Sequence, residues 1–199
     1  NTPLALVVNT ASPIQDFPQY LAAARKDKMS YGTFGAGSTP HILGEVLAAN
    51  ANVPLLHVPY KGSAQAVTDI LGNHIESAFL TVAAVAKPVS AGKLRALAVS
   101  GAARSKAMPT VPTFKELGVA GLEESGWFAI FAPAKTPAAI TTQVADAVAK
   151  IVAGADVQAK MVELGLEPVG STPEQHAAIW KRTHETMGAV IRRAKITID

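Results

Sequence analysis

Between Leu4 and Val99 the chain alternates short apolar runs with segments of helical period, and this alternation restricts the fold more than any other feature. Leu4-Ala5-Leu6-Val7-Val8, flanked by Thr2-Pro3 and Asn9-Thr10, reads as a strand buried on both faces. Asp16 and Gln19 form a capping-box pattern, after which Tyr20, Leu21 and Ala24 line an apolar stripe that ends at Arg25, Lys26 and Lys28. Ser30 to Phe34 is a second strand. It leads through Gly35-Ala36-Gly37-Ser38-Thr39-Pro40 into a helix carrying Ile42, Leu43, Val46 and Leu47, with Thr39 as N-cap and Pro40 as its first residue. The unit then recurs: strand Leu55 to Val58, turn Pro59 to Ser63, and a helix with Ala66, Val67, Ile70 and Leu71 stopped by Gly72. Strand Ile75 to Phe79, a helix around Val82 to Val89, and strand Leu94 to Val99 follow. Such βαβ units predict an α/β lobe around a mostly parallel sheet with right-handed crossovers.

Beyond Gly101 the pattern loosens. Pro109, Pro112 and Gly118 interrupt a stretch in which Thr113 and Glu116 cap one short helix. Trp127 to Ala132 reads as a strand, followed by a helix capped by Thr136-Pro137, one near Asp156 to Leu164, and a long one capped by Thr172-Pro173. These helices have little sheet of their own to cover, so a second lobe here is expected to be incomplete.

Composition closes off several functions. The chain has 199 residues, 49% hydrophobic and 17% charged, which suits a packed α/β domain better than a charged coiled coil. Its net charge of +3 is dispersed, unlike the concentrated basic surface of a nucleic-acid binder, yet it favours an anion near a cleft. Without cysteine there is no disulfide, thiolate metal site or thiol nucleophile. No apolar run reaches the roughly 18 residues of a membrane span.

Two turns carry the chemistry. Gly35 to Thr39 lies between a strand and a helix start, where unpaired backbone N–H groups and the positive end of the helix dipole favour an anion, and the Ser38 and Thr39 hydroxyls can add donors. From spacing alone it also fits an ordinary tight turn, and it lacks the lysine of a phosphate-binding loop and the full dinucleotide fingerprint. Tyr60-Lys61-Gly62-Ser63 is a turn of the same kind. If the strands are parallel, both turns leave the same carboxyl edge of the sheet. Lys61 adds a positive charge or is an ordinary exposed lysine; Tyr60 lines the site or packs against the lobe. His41 and Glu45 are spaced to share a metal but have no third ligand nearby. Ser38, His41 and Asp69 are hydrolase residue types without a nucleophile elbow around Ser38. Trp127 walls a cleft or belongs to a core. An α/β enzyme, or a sensor domain for a small phosphorylated or carboxylated metabolite, remains the alternative to a binding protein.

Several separated motifs share a further likeness: Ser30-Tyr31-Gly32 with Gly35 to His41, His57 to Ser63, Ala91 to Val99, Val111-Pro112-Thr113, and Pro168 to Pro173. Together they closely resemble the substrate-binding proteins of tripartite tricarboxylate transporters, the Bug family. The resemblance implies a type II-like periplasmic binding fold, with a complete α/β ligand-binding lobe over residues 10–121 and the remainder of the other lobe over residues 1–9 and 122–199. It implies a periplasmic, extracytoplasmic solute-binding protein that captures a small carboxylate, such as a dicarboxylate, tricarboxylate or aromatic acid. It further implies membrane transporter subunits as partners, no nucleic acid, no cofactor, no metal and no catalysis. Carried over by motif, Gly37, Ser38 and Thr39 become carboxylate contacts, with Tyr60, Lys61, Gly62 and Ser63 nearby. His41, Thr81 and Trp127 complete the expected ligand-binding set. Family members carry a further N-terminal portion, with a first strand and a glycine-rich ligand loop, so the resemblance makes this chain a fragment, a proteolysed product or one piece of an assembly, without the export signal, and implies self-association through apolar faces of the helices near Ala138 to Ala153 and Pro173 to Ala194. At Phe79-Leu80-Thr81 members commonly have an acidic residue and asparagine after the phenylalanine, so Leu80 and Thr81 imply a preference for plain carboxylic acids over amino acids.

Overall fold

The computed structural model describes residues 1–197. Its elements are β1 (Leu4–Asn9), α1 (Phe17–Lys26), β2 (Met29–Thr33), α2 (Thr39–Ala51), β3 (Leu55–Pro59), α3 (Ser63–Leu71), β4 (Ser77–Thr81), α4 (Val82–Ser90), β5 (Leu94–Val99), α5 (Ala138–Val152), α6 (Ala155–Glu163) and α7 (Pro173–Ala194).

The five strands form one sheet in the order β3-β2-β4-β1-β5. β2 is parallel to β3 and β4, whereas β1 is antiparallel to both β4 and β5. The sheet is therefore mixed, and β1 is the exception to the expected parallel arrangement. An apolar run signals burial on both faces but carries no information about direction, which explains the miss. All six residues of β1 are buried between two strands. Leu4–Asn9, within the stretch that the resemblance assigns to the other lobe, thus runs through this sheet as an enclosed strand.

Helices cover both faces and divide the core in two. Leu4, Leu6 and Val8 face one cluster with Tyr20, Tyr31, Leu43, Leu47, Phe79 and Phe114. Ala5 and Val7 face the other with Ala66, Ile70, Leu80, Val85 and Val99. Each fully buried Val, Leu, Ile or Phe side chain contributes about 1.5–3 kcal/mol. Close packing of α2 depends on Gly44, because a Cβ there would collide with the Tyr31 ring.

Several boundaries shift. Asp16 caps α1 by accepting from the Gln19 N–H, but the Gln19 side chain reaches the Gln15 N–H rather than closing the box. The N-cap of α2 is Ser38, not Thr39, which is already helical. β4 begins at Ser77 instead of Ile75. Thr113 and Glu116 exchange both capping hydrogen bonds, yet only turns form, ended by Gly118 at φ 80°. Pro137, not Thr136, caps α5, without a side-chain hydrogen bond.

The larger departure is residues 127–132, which form no strand. Gly126 bridges to Thr2, but beyond it Phe128, Ile130 and Phe131 are 81%, 70% and 65% exposed. A strand exists only through a partner, and β1 already has one on each side. Helices α5, α6 and α7 contain no fully buried residue, and Ile140, Ile151 and Trp180 are exposed. This arm meets the lobe through Met187 and Val190, which pack on the first core cluster, through the Arg182–Glu124 ion pair, and at Gly165, which lies against the backbone of Val82 and Ala83.

Candidate functional site

Because β2, β3 and β4 run the same way, their carboxyl ends share one edge of the sheet. Thr33 is in register with Pro59, and the Tyr60 N–H donates to the Thr33 carbonyl at 2.9 Å, so the turns after β2 and β3 emerge side by side. Thr81 ends β4 at the same edge, opposite Leu4, and caps α4 through the Ala84 N–H. The Thr2–Gly126 bridge brings Trp127 toward this edge. The expected convergence of 37–39 with 60–63 is therefore present.

The first turn is internally braced. Gly37 has φ 70°, a left-handed conformation in which a side chain is strained, and its N–H donates to His41 Nδ1 at 3.0 Å. That bond fixes His41 as the neutral tautomer protonated on Nε2. The Ser38 hydroxyl and N–H both point to the Gly35 carbonyl, at 2.6 and 3.3 Å. Gly37 and Ser38, expected as carboxylate contacts, thus use their N–H groups within the turn. Among the described hydrogen bonds, the N–H groups of Thr39 and His41 in the first turn of α2 have no acceptor.

Beneath the turn lies a pair of rings that the sequence reading missed. His41 stacks on His57 with centroids 3.6 Å apart and planes 9° from parallel. His57 Nε2 is 2.7 Å from Thr33 Oγ1, which also accepts from the Gly35 N–H at 3.3 Å. Burial, reinforced by His41, pushes the His57 ring down to about 4. Burial also lowers His41, against a weaker opposing pull from Glu45. Register was the available signal: Tyr31 pairs with His57 across β2 and β3, and His41 stands one helix opening away.

The second turn is more open. The Lys61 N–H donates to Gln65 Oε1 at 3.2 Å, while those of Gly62, Ser63 and Ala64 have no acceptor among the described hydrogen bonds. Lys61 is exposed. Tyr60 packs its ring over Gly32 and donates its hydroxyl to Asp69 Oδ2 at 2.7 Å; burial and that bond raise the phenol to about 12. Tyr60 is accordingly a brace.

The other candidates separate. Asp69 is held by Tyr60 and lies 3.5 Å from His74, while His41 and Ser38 face the Gly35–Gly37 backbone, so no Ser-His-Asp relay forms. Glu45 accepts from the Tyr31 hydroxyl at 3.0 Å, and among the described residues no three His, Cys, Asp or Glu side chains cluster as metal ligands. Trp127 joins His176, 4.9 Å away edge-on, and Phe131 in an aromatic group of the arm. Leu80 is fully buried in the second core cluster, so of the pair Leu80 and Thr81 only Thr81, at the end of β4, stands at the edge. Two open hollows lie away from both turns: one of about 420 Å³ beside Arg104 and Glu116, another of about 630 Å³ among Lys26, Lys28, Asn73 and Glu76.

With this geometry in place, the sequence matches the family described as tripartite tricarboxylate transporter family receptor over residues 1–196. The chain belongs to that family. A relative in Pseudomonas sp. (strain P51), the UPF0065 protein in the tcbD-tcbE intergenic region, is 36% identical over 186 residues, covering 92% of this chain and 55% of that protein. The solved "Structure of a periplasmic transporter" superposes with a TM-score of 0.90 at 32% identity, covering 100% of this chain and 67% of that one. Rpa4515 of R. palustris, solved with adipate, gives 0.83 at 30% identity, covering 94% and 66%. The fold is therefore that of the family's periplasmic binding proteins, and the chain spans little more than half the length of the relative from strain P51.

Proposed function

We propose that this chain is the lobe of an extracytoplasmic receptor that captures a small carboxylate and delivers it to the membrane subunits of a tripartite transporter, without catalysing a reaction. The observation that carries the reading is the pair of helix openings, α2 and α3, on neighbouring parallel strands, where the N–H groups of Thr39, His41, Gly62, Ser63 and Ala64 have no acceptor among the described residues. A carboxylate at such a place gains charge-assisted hydrogen bonds without a dedicated cation, and exposed Lys61 adds attraction. The adipate bound by a relative at 30% identity supports a carboxylic acid as ligand. Receptor chemistry also fits residues that hold one another in place: His41 and Ser38 secure a turn instead of activating a nucleophile. Periplasmic residence follows the same family reading.

Calorimetric titration with adipate and with inorganic phosphate tests this. Saturable adipate binding that phosphate does not displace is expected. Phosphate binding more tightly than adipate would turn the reading toward a phosphate sensor. Native mass spectrometry of protein purified without added ligand should show a co-purified organic acid.

A further inference from the structure

We infer that His41 is the positioning residue of the ligand turn: its unprotonated Nδ1 holds Gly37 in place, and a proton on that nitrogen releases the turn and weakens carboxylate capture. This deepens the reading of the same edge as a carboxylate site, and rests on it.

The geometry leaves His41 little freedom. Its side chain is 12% exposed, one face is stacked on His57, and Nδ1 accepts the Gly37 N–H at 3.0 Å. A protonated Nδ1 becomes a donor facing another donor, so that hydrogen bond is lost and replaced by repulsion. The titratable groups against the ring are His57 from β3 and Glu45 on α2, 3.9 Å from Nε2, while the Tyr31 hydroxyl from β2 meets the His41 carbonyl at 3.4 Å. Glu45 also accepts from Tyr31. Protonation of one ring disfavours protonation of the other at 3.6 Å. The connection to the ligand is short: Gly37 is two residues before Thr39, whose unpaired N–H opens α2, and moving the turn moves that donor.

Two substitutions separate the acceptor from the ring. In His41→Asn the side-chain oxygen can replace Nδ1 as acceptor and does not titrate; in His41→Phe the ring remains and the acceptor is lost. Adipate affinity at neutral pH should fall about five- to tenfold further for His41→Phe, which loses the acceptor, than for His41→Asn, which keeps one, the worth of one hydrogen bond. As pH falls, the ratio of wild-type to His41→Asn affinity should decline, a comparison in which the protonation of adipate itself cancels. A constant ratio overturns the inference.

A readout without ligand keeps the two readings distinguishable. In the wild-type protein, nitrogen NMR should show His41 Nδ1 unprotonated at neutral pH, with slow exchange of the Gly37 amide. That protection, relative to His41→Asn at each pH, should disappear as His41 titrates. Gly37 protection indifferent to His41 protonation overturns the positioning role even if adipate binds. Absence of adipate binding at every pH, with Gly37 protection following His41, instead overturns the carboxylate reading.

Discussion

Helices α3 and α7 begin with recognisable signals and end in opposite surroundings. α7 is 22 residues long, opens with a complete capping box of Thr172 and Gln175, and buries no residue fully. α3 has nine residues and no side-chain cap, yet buries Ala66 and Ile70 completely. The difference is a sheet. α3 lies on the five-stranded sheet, whereas α7 reaches the lobe chiefly through Met187 and Val190. A cap specifies where a helix starts; whether the helix becomes part of a core depends on an apolar surface opposite it.

The molecule supplies separate reporters for the two regions, because its tyrosines, Tyr20, Tyr31 and Tyr60, are in the lobe, and its tryptophans, Trp127 and Trp180, are in the arm. The largest effect should come from Phe79→Ala, which empties a fully buried site and should cost about 3–5 kcal/mol in denaturant unfolding followed by tyrosine absorbance. Ile151→Ala, at a side chain 60% exposed, should change stability by no more than about 0.5 kcal/mol. Equal losses would erase the distinction between lobe and arm.

Gly44→Ala should cost about 1–3 kcal/mol, again in the tyrosine signal, because the added methyl meets the Tyr31 ring. Thr172→Ala should cost about 1 kcal/mol and register in tryptophan fluorescence, with the tyrosine transition unmoved. If both signals shift together, arm and lobe unfold as one unit.

A further expected effect is a pH dependence that arises in the lobe. His57 and His41 titrate lower in the fold than the ordinary 6.5, so the fold holds their neutral forms. Their contribution is complete above 6.5 and is lost as pH falls toward the His57 value of about 4. The tyrosine midpoint should decline through that window in the wild type and less in His57→Gln; equal slopes would remove the histidine pair as the cause.

Legibility in the sequence followed the same division. Apolar runs and turn residues revealed all five strands of the lobe and the two turns at the carboxyl edge of β2 and β3, because local pattern and tertiary environment agree there. Strand direction was hidden, since β1 would have the same composition running either way. At Trp127 to Ala132 the apolar pattern was present and the strand was not, because pairing is a property of two segments. Gly37 and Ser38 were found by motif, but their donors are occupied by His41 and by the Gly35 carbonyl. No spacing rule reveals such a contact when its companion, His57, comes from another strand.

Amide NMR of the labelled chain titrated with adipate tests the receptor edge most directly. Shifts concentrated at Thr39, His41, Gly62, Ser63 and Ala64, with Lys26, Lys28 and Asn73 unmoved, are expected if the two helix openings receive the acid. Shifts centred on Lys26, Lys28 and Asn73 instead, or none at saturating adipate, would contradict it.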